Sequence, residues 1–408
     1  MDTGSVAWIL TASALVLLMT PGLAFFYGGL VRAKNAVSTI MYSFVAMGIA
    51  SIVWVLWGYS LAFGEGSAFI GDLEFIGLRG IGIDDLSGEI PTLLFVMFQG
   101  MFAIITPALI TGAFVERFKF STYMVFLVLW VTLVYAPVCH WVWGGGWIGD
   151  LDNGAGGGAL DFAGGTVVHI NAGLAAVAAA FLVGKRRNPG VEPHNVPYVV
   201  LGAALLWFGW FGFNAGSQLA ADAVAVSAFI ATNTAAAAAA VTWGLISHFK
   251  AGKMSAVGVA TGAVAGLVAI TPASGFVGVM GALAIGIAAG VICFFAVDLF
   301  KRTGVDDALD VFAVHGVGGI VGALLTGVFA VEAIGGVQGL IEGNFLALQA
   351  NFIAVAATAA YSLVATLIIL KVLDVIPGLG LRVAERGEDE GLDLVAHGER
   401  AHVSDGAD

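Results

Sequence analysis

Residues 161–184 read DFAGGTVVHINAGLAAVAAAFLVG, a run that is apolar and long enough to cross a lipid bilayer as one helix. The run begins with a carboxylate, Asp161, and carries an imidazole, His169, eight residues further on. At the rise of an α-helix, His169 lies about 12 Å along the axis from that end. An ionisable group at this depth is costly in a membrane and usually faces a cavity or a partner. The stretch therefore predicts a membrane helix with a functional histidine.

Similar apolar runs recur on both sides of this stretch, along the whole chain of 408 residues. Apolar side chains make up 59% of the sequence and charged ones only 11%, against about a quarter in a typical soluble domain. This composition excludes an ordinary cytosolic enzyme, a disordered scaffold and a nucleic-acid binder. We expect an all-α polytopic membrane protein with eleven transmembrane helices, near residues 5–30, 38–63, 92–115, 121–139, 161–184, 196–220, 225–249, 254–272, 276–300, 308–330 and 348–376.

Lysine and arginine residues in the loops between these spans predict the orientation of the chain. Eleven of them fall in loops on one side of the membrane, and only Arg79 falls on the other side. The eleven are Arg32, Lys34, Arg117, Lys119, Lys185, Arg186, Arg187, Lys250, Lys253, Lys301 and Arg302. Basic loops face the cytoplasm. We therefore expect an outer N-terminus, a transmembrane domain over residues 1–376 and a cytoplasmic tail over residues 377–408.

The same topology places spans 1 to 5 and spans 6 to 10 in opposite directions through the membrane. Span 5 carries Val168-His169 followed by Gly173, and span 10 carries Val314-His315 followed by Gly319, at the same spacing. Matches at corresponding spans are typical of an inverted-repeat transporter. We predict an inverted five-helix repeat plus an eleventh helix outside it.

His169 and His315 are the only histidines that fall in the middle of a span, and the repeat brings both to the middle third of the membrane. One interpretation is structural: two separate histidines that bond to backbone carbonyls. A metal pair is disfavoured, because no third ligand is predicted at that depth. The preferred interpretation is two imidazoles in contact that line a pore, without a metal or cofactor.

An aromatic cluster is predicted near the outer mouth. The simplest explanation is interfacial Trp and core-packed Phe, whereas the functional one is an aromatic cage for a cation, worth about 0.5–2 kcal/mol per ring. A serine hydroxyl adds a hydrogen-bond acceptor. The cluster comprises Phe98, Phe102, Trp143, Trp210, Phe213 and Ser217.

Two carboxylates, Asp161 and Asp310, begin the two spans that carry the histidines. A carboxylate at a helix N-terminus commonly caps it. For Asp310 we expect capping or tertiary support. Asp161 lies at the outer end, where its charge also favours a cation.

These motifs together resemble the signatures of the ammonium transporter family (Amt/Mep/Rh), and the resemblance covers residues 5 to 400. The tail fits the bacterial and archaeal Amt branch better than the Rh branch. The motifs are WGGG at 143–146, DFAGGTVVHIN at 161–171, GWFGFNAGS at 209–217, DVFAVHG at 310–316, and in the tail GLRV at 380–383, EGLD at 390–393 and HGE at 397–399.

The resemblance implies a homotrimer in the cell membrane, with a separate pore in each subunit. It implies an outer ammonium site formed by Trp143, Ser217 and Phe102, and a gate of Phe102 and Phe213, with Phe98 beside it. It further implies that His169 and His315 are twin pore histidines and that Trp210 lines the pore. Asp161 supports the outer site, and Asp310 is the second supporting residue.

The implied activity is transport: ammonium loses its proton at the outer site and ammonia passes the pore, with no need for ATP. The sequence leaves open whether the proton follows along the histidines. One alternative is a membrane-embedded ammonium sensor that signals through a cytoplasmic PII partner. A membrane enzyme is disfavoured, because no nucleophile or metal constellation stands out.

The tail over residues 377–408 is predicted to be regulatory. One interpretation is a solubilising segment, since a segment so polar would be disordered in isolation. The favoured one is an acidic tail packed on the basic loops at 185–187 and 250–253. The resemblance implies that this tail docks a PII-type nitrogen regulatory protein.

Overall fold

The computed structural model describes residues 1–190 and 192–402. Within them the chain forms eleven apolar helices, which confirms the predicted architecture. Ten are at least 18 residues long, and one, α8, has 15. They are α1 Thr3–Leu30, α2 Ala33–Phe63, α3 Thr92–Ala113, α4 Phe120–Trp143, α5 Gly165–Val183, α6 Val196–Gly216, α7 Ala223–Ala251, α8 Ala256–Ile270, α9 Val279–Lys301, α10 Phe312–Phe329 and α11 Phe345–Val375.

Polar side chains cap several of these helices at the point where the apolar run begins. Asp2 accepts a hydrogen bond from the backbone N–H of Ser5 at α1, and Asp222 accepts two at the start of α7. Asn195, Ser255 and Asn344 do the same for α6, α8 and α11. Each cap satisfies a backbone donor that the helix itself leaves free. The predicted helix starts are therefore fixed by local chemistry as well as by hydropathy.

Helices α1 and α6, which correspond in the repeat, pack closely through glycines. A methyl group built on Gly202 would lie 2.2 Å from the backbone nitrogen of Phe26, and one on Gly22 would lie 3.0 Å from Cβ of Leu205. Only residues without a side chain let two membrane helices approach this closely. The contact continues at Gly209 and Gly212, which face α1 in the same way.

Helices α5 and α10 cross in a reciprocal manner that fits the inverted repeat. A methyl group on Gly173 would lie 2.3 Å from Cα of Gly316, just beyond His315. A methyl group on Gly319 would lie 3.1 Å from Cβ of His169. Each of these glycines lies four residues after a histidine of its own helix. Gly173 therefore lies beside His315, and Gly319 lies beside His169. The two backbones touch where the histidines meet.

Both helices begin with a π-helical turn, at Gly165–Ile170 and Phe312–Gly316, and each turn contains the histidine. A π-helical turn widens the backbone and is frequent at functional sites. The sequence did not predict these turns.

The described part of the tail packs on the ends of the helices. It contains a short helix, α12 Glu385–Glu390, and a π-helical turn, Asp393–His397. The Asp393 carboxylate accepts hydrogen bonds from the backbone nitrogens of Val37 and Ser38, at 3.0 and 2.7 Å, near the start of α2. Residues 403–408 of the predicted tail lie outside the described residues.

Within the described residues, the tail contacts the first of its two predicted loops. Arg187 pairs with Glu385 and Asp389, at 2.6 and 3.2 Å, as expected for the loop at 185–187. In the second predicted loop, at 250–253, the ammonium group of Lys250 pairs with Asp298 of α9, at 2.8 Å, and the expected contact with the tail stays a prediction. That carboxylate lies on a neighbouring helix that packs against α7.

Candidate functional site

Two phenyl rings lie against each other inside the helix bundle. Phe102 of α3 and Phe213 of α6 have ring centroids 4.3 Å apart at 32°. They are 1% and 0% exposed. Phe98 lies one turn before Phe102 and packs against it, with centroids 5.1 Å apart. The three rings that the sequence singled out on α3 and α6 therefore form one contact.

The remaining predicted cage residues, Trp143 and Ser217, contact this pair of rings. The Trp143 ring stands at 90° to Phe102, with centroids 6.0 Å apart, and is half-buried. Its indole N–H donates to the backbone oxygen of Asp161 at 2.9 Å, which fixes the ring. The Ser217 hydroxyl donates to the backbone oxygen of Phe213 at 2.7 Å, so its oxygen can still accept a hydrogen bond. Aromatic rings and one acceptor suit a small cation that donates hydrogen bonds.

The Asp161 carboxylate is 6% exposed and organises the start of α5. It accepts hydrogen bonds from the backbone nitrogens of Gly164, Gly165 and Thr166, at 2.9, 2.5 and 2.9 Å. The Thr166 hydroxyl also donates to it. These bonds satisfy the free donors of the π-helical turn that holds His169. Since Asp161 also holds Trp143 through its backbone, it links the outer ring to the histidine.

Below the phenyl stack, the two histidines are in direct contact. Their Nδ1 atoms are 3.2 Å apart, and their rings are nearly parallel, at 22°. The interpretation of two separate histidines on backbone carbonyls is therefore wrong. One Nδ1 must donate and the other accept, so one Nε2 is left as an acceptor and the other as a donor. The pair thus offers both kinds of hydrogen bond to a third molecule.

The lumen around the histidines is narrow and otherwise apolar. Trp210 stacks on His169 with centroids 5.5 Å apart, and its indole N–H donates to the Thr271 hydroxyl at 2.8 Å. The cavity volume is about 10 Å³, which is close to the space for one water molecule. Its apolar walls are formed by Met19, Leu23, Ile105, Leu109, Val168, Leu206, Phe213 and Val264.

On the far side of His315 the lumen meets a much wider cavity, which we call the inner vestibule. Its volume is about 470 Å³, and His315, Lys185, Asp307 and Asp310 are among its lining residues. The phenyl stack, the histidines and the inner vestibule thus follow one another in one direction through the bundle.

Of the two roles expected for Asp310, the structure favours tertiary support, because the carboxylate that caps the span is that of Asp307. The Asp307 Oδ2 atom accepts a hydrogen bond from the backbone nitrogen of Phe312 at 2.7 Å. Asp310 adopts a left-handed backbone conformation (φ 58°), and its side chain pairs with Lys301 at 3.3 Å. The capping role of Asp307 was not predicted from the sequence, although two adjacent carboxylates before an apolar run indicate a possible helix cap.

Within residues 1–190 and 192–402, no group of three or more His, Cys, Asp or Glu side chains could hold a metal ion. The chemistry that the described lumen offers is therefore hydrogen bonding at two imidazoles, below a layer of aromatic rings.

Comparison with known proteins places this arrangement in a family. The chain matches the model of the Ammonium Transporter Family over residues 7–402. It is 50% identical to an ammonium transporter of Bacillus subtilis, with 98% of this chain and 99% of that protein covered. The crystal structure of Candida albicans Mep2 is similar, with a TM-score of 0.88 at 40% identity over 95% of this chain and 87% of that one. A sensor Amt protein is similar too, with a TM-score of 0.88 at 31% identity over 97% and 98% of the two chains. The chain belongs to the ammonium transporter family.

Proposed function

We propose that this chain moves ammonium equivalents across the cell membrane, by recognising ammonium at an outer site and passing ammonia through the lumen. The observation that carries the proposal is the contact of His169 and His315, 3.2 Å apart, in a lumen with space for about one water molecule. Membership of the family supports the choice of substrate.

The outer step uses Trp143, Phe102 and Ser217. Ammonium loses part of its hydration shell between the two rings, and the cation–π attraction offsets part of that loss, by about 0.5–2 kcal/mol. The Ser217 oxygen accepts one N–H bond. Phe102 and Phe213 then act as the gate, because stacked rings leave no hydrated path to the lumen.

Deprotonation precedes passage through the gate. A bare charge in an apolar lumen is penalised severely, whereas neutral ammonia is not. Potassium has no proton to lose, so it is excluded although it can occupy an aromatic cage. Selectivity therefore comes from chemistry at the nitrogen rather than from size.

Ammonia is a good match for the histidine pair. It both donates and accepts hydrogen bonds, and the two Nε2 atoms of His169 and His315 offer one acceptor and one donor. In His169 the Nε2 atom is buried without a partner in the described part of the protein, so a solute in the lumen would satisfy it. Trp210 supports the His169 ring from the side.

The test is transport by the purified protein in proteoliposomes, with current and internal pH measured together. We expect saturable flux with ammonium, weaker flux with methylammonium and none with potassium. A current that accompanies flux indicates that the proton crosses as well, and flux with internal alkalinisation alone indicates ammonia. His315→Ala should change the flux, while His248→Ala, an exposed histidine near the end of α7, should not. Potassium flux at a comparable rate would refute the proposal.

We also propose the assembly and orientation implied by the family: a homotrimer with an outer N-terminus and residues 377–408 as a cytoplasmic regulatory tail for a PII-type protein. The bias of basic residues in the loops supports the orientation. The packed tail supports the regulatory role, because it leaves Arg386 and Glu385 accessible, at 88% and 84% side-chain exposure.

Native mass spectrometry tests the trimer, and binding of a PII protein to membrane vesicles tests the tail. Deleting residues 380–408 should preserve the lumen, impair PII binding and deregulate flux. Normal PII-dependent inhibition of the shortened protein would reduce the tail to a solubilising segment.

A second candidate is an ammonium sensor that signals through a PII partner, which the similarity to the sensor Amt protein favours. A sensor binds ammonium and changes its affinity for the partner without net flux. The same proteoliposomes discriminate the two functions, because saturable flux excludes a sensor that does not transport.

A further inference from the structure

A histidine in the loop between α5 and α6 presents a nitrogen that nothing in the described protein uses. The Nδ1 atom of His194 lies 2.9 Å from the backbone oxygen of Val31, at the end of α1. A carbonyl oxygen only accepts hydrogen bonds, so Nδ1 carries the proton and Nε2 keeps its lone pair. That Nε2 atom is buried and has no hydrogen-bond partner among the described residues. A buried lone pair without a partner calls for an explanation.

A second imidazole, from the tail, lies next to this nitrogen's ring. The rings of His194 and His402 have centroids 5.8 Å apart and are inclined at 57°. In the lumen, by comparison, His169 and His315 are joined by a direct hydrogen bond, and their centroids are 5.3 Å apart. His194 and His402 are farther apart, and Nε2 of His194 makes no such bond. Their separation therefore suits a small ligand between the two rings.

The same separation is expected for two histidines that bind one metal ion. An imidazole nitrogen binds Zn²⁺ at about 2.0–2.1 Å. The centre of the ring lies about 1.2 Å behind the nitrogen, so two such ligands in a tetrahedral arrangement have centroids about 5–6 Å apart. The pair of His194 and His402 falls within this range.

The backbone holds His194 in a fixed position for such a ligand. Its backbone nitrogen donates to the oxygen of Val31 at 3.4 Å, and that of Asn195 donates to the oxygen of Gly29 at 3.1 Å. Both peptide units are thereby tied to α1. A metal-bound histidine usually donates its other N–H to a carbonyl oxygen or a carboxylate, which orients the ring and raises the basicity of the ligand nitrogen. The bond from Nδ1 of His194 to Val31 is of this kind.

We infer that His194 and His402 bind one transition-metal dication of the zinc class between their imidazole nitrogens. Within the described residues, no third His, Cys, Asp or Glu joins the pair, so water completes the coordination. Magnesium and calcium are excluded as occupants, because they require oxygen ligands, whereas imidazole suits zinc, copper and nickel. With two protein ligands, the site binds its ion more weakly than a structural zinc site with four, so the ion exchanges with the surrounding solution.

A bound ion would connect the tail to the body of the protein. His402 is the last described residue of the tail, and His194 is fixed to the end of α1 through Val31. Pro193, the residue before His194, lines the inner vestibule. The ion therefore holds the end of the tail at the edge of that cavity, and the docking of the tail becomes sensitive to the concentration of the metal.

The test is isothermal titration calorimetry of the full-length protein, without a histidine tag, with zinc chloride. We expect saturable binding of one zinc ion per subunit. His402→Ala should weaken this binding at least about tenfold, since loss of a ligand costs no less than loss of its outer hydrogen-bond partner. The variant should assemble normally, because His402 is exposed. The matched control is His248→Ala, which removes an exposed histidine that packs against Phe249 and should leave the affinity unchanged.

Two further measurements separate this site from zinc binding elsewhere on the protein. With one equivalent of copper(II) chloride, electron paramagnetic resonance should show two imidazole nitrogens on the metal in the wild type and one in His194→Ala or His402→Ala. Zinc chloride should increase the protection of residues 398–402 from hydrogen exchange in the wild type, and not in His402→Ala.

A wild-type protein that binds no zinc overturns the site and leaves a water molecule between the two rings. Equal zinc affinity in the wild type and in His402→Ala overturns it as well, because the ion is then bound by other residues. Neither outcome depends on flux, so the metal site and the proposed transport function can fail independently.

Discussion

The crossing of α5 and α10 gives the sharpest prediction, because the backbones touch there. In Gly173→Ala, the new methyl group would lie 2.3 Å from Cα of Gly316 and 2.4 Å from its nitrogen. Ordinary contacts of such a group begin at 3.4 Å, so the helices must separate by about 1 Å. His315 immediately precedes Gly316 and moves with it. The Nδ1–Nδ1 distance of 3.2 Å then exceeds 3.5 Å, and the hydrogen bond is lost.

We expect two measurable effects. Overpacking of this kind costs about 1–3 kcal/mol of stability, so the unfolding temperature of the purified protein falls while the protein still assembles. Ammonium flux in proteoliposomes falls by at least about tenfold, since a misplacement near 1 Å is enough to disable a positioned pair. Gly48→Ala is the matched control, because a methyl group there meets nothing within 4 Å. If Gly173→Ala lowers the unfolding temperature but transports like the wild type, the histidine contact is not needed for flux and the reasoning is refuted.

The remaining predictions concern the outer site, the histidines and the tail. Trp143→Leu removes one cation–π contact of about 0.5–2 kcal/mol and should weaken the selection of ammonium over other solutes in competition assays; unchanged selectivity at limiting and saturating ammonium contradicts the cage. His169→Ala and His315→Ala should assemble normally but transport with altered rate, selectivity or charge coupling, and wild-type behaviour in all three disproves the pore assignment. Burial lowers the pKa of His397 below its ordinary value of 6.5, so this imidazole binds more protons in the free tail than in the docked tail and weakens docking as pH falls below 6.5. Burial raises the pKa of the Asp393 carboxyl, which acts in the opposite direction at lower pH. Protection of residues 385–402 from hydrogen exchange, relative to the intrinsic rate at each pH, should therefore be lower at pH 5.5 than at neutral pH, and the difference should be smaller in His397→Gln. Equal protection at the two pH values rules out this effect.

The helices and the histidine contact could be predicted because their signals are local or symmetric. Hydropathy alone marks membrane helices, and the shared spacing of His169–Gly173 and His315–Gly319 indicates that two helices meet at equivalent points. The contact of the Phe102 and Phe213 rings was expected from the resemblance to the family, and not from the spacing of the residues. Their predicted roles in transport remain to be tested.

Other features depend on backbone geometry that a single sequence does not reveal. Asp310 stands where a cap is expected, but its left-handed backbone turns the side chain to Lys301 and leaves the cap to Asp307. The contact of Asp393 with α2 joins residues more than 350 positions apart and has no periodic signal. The π-helical turns at Gly165–Ile170 and Phe312–Gly316 were not predicted from the sequence either.

The glycine crossing also determines which parts of the protein can move during a transport cycle. Many transporters alternate access by rocking one half of the repeat against the other, a motion of microseconds to milliseconds. Here the backbones of the two halves are in direct contact at Gly173 and Gly316. No side chains lie between the two helices at this point, so they cannot slide past each other on a side-chain layer. We therefore expect the path to open by local rotation of the Phe102 and Phe213 rings, and not by movement of one half of the repeat. We therefore expect turnover to depend only weakly on temperature, as in a channel rather than in a pump.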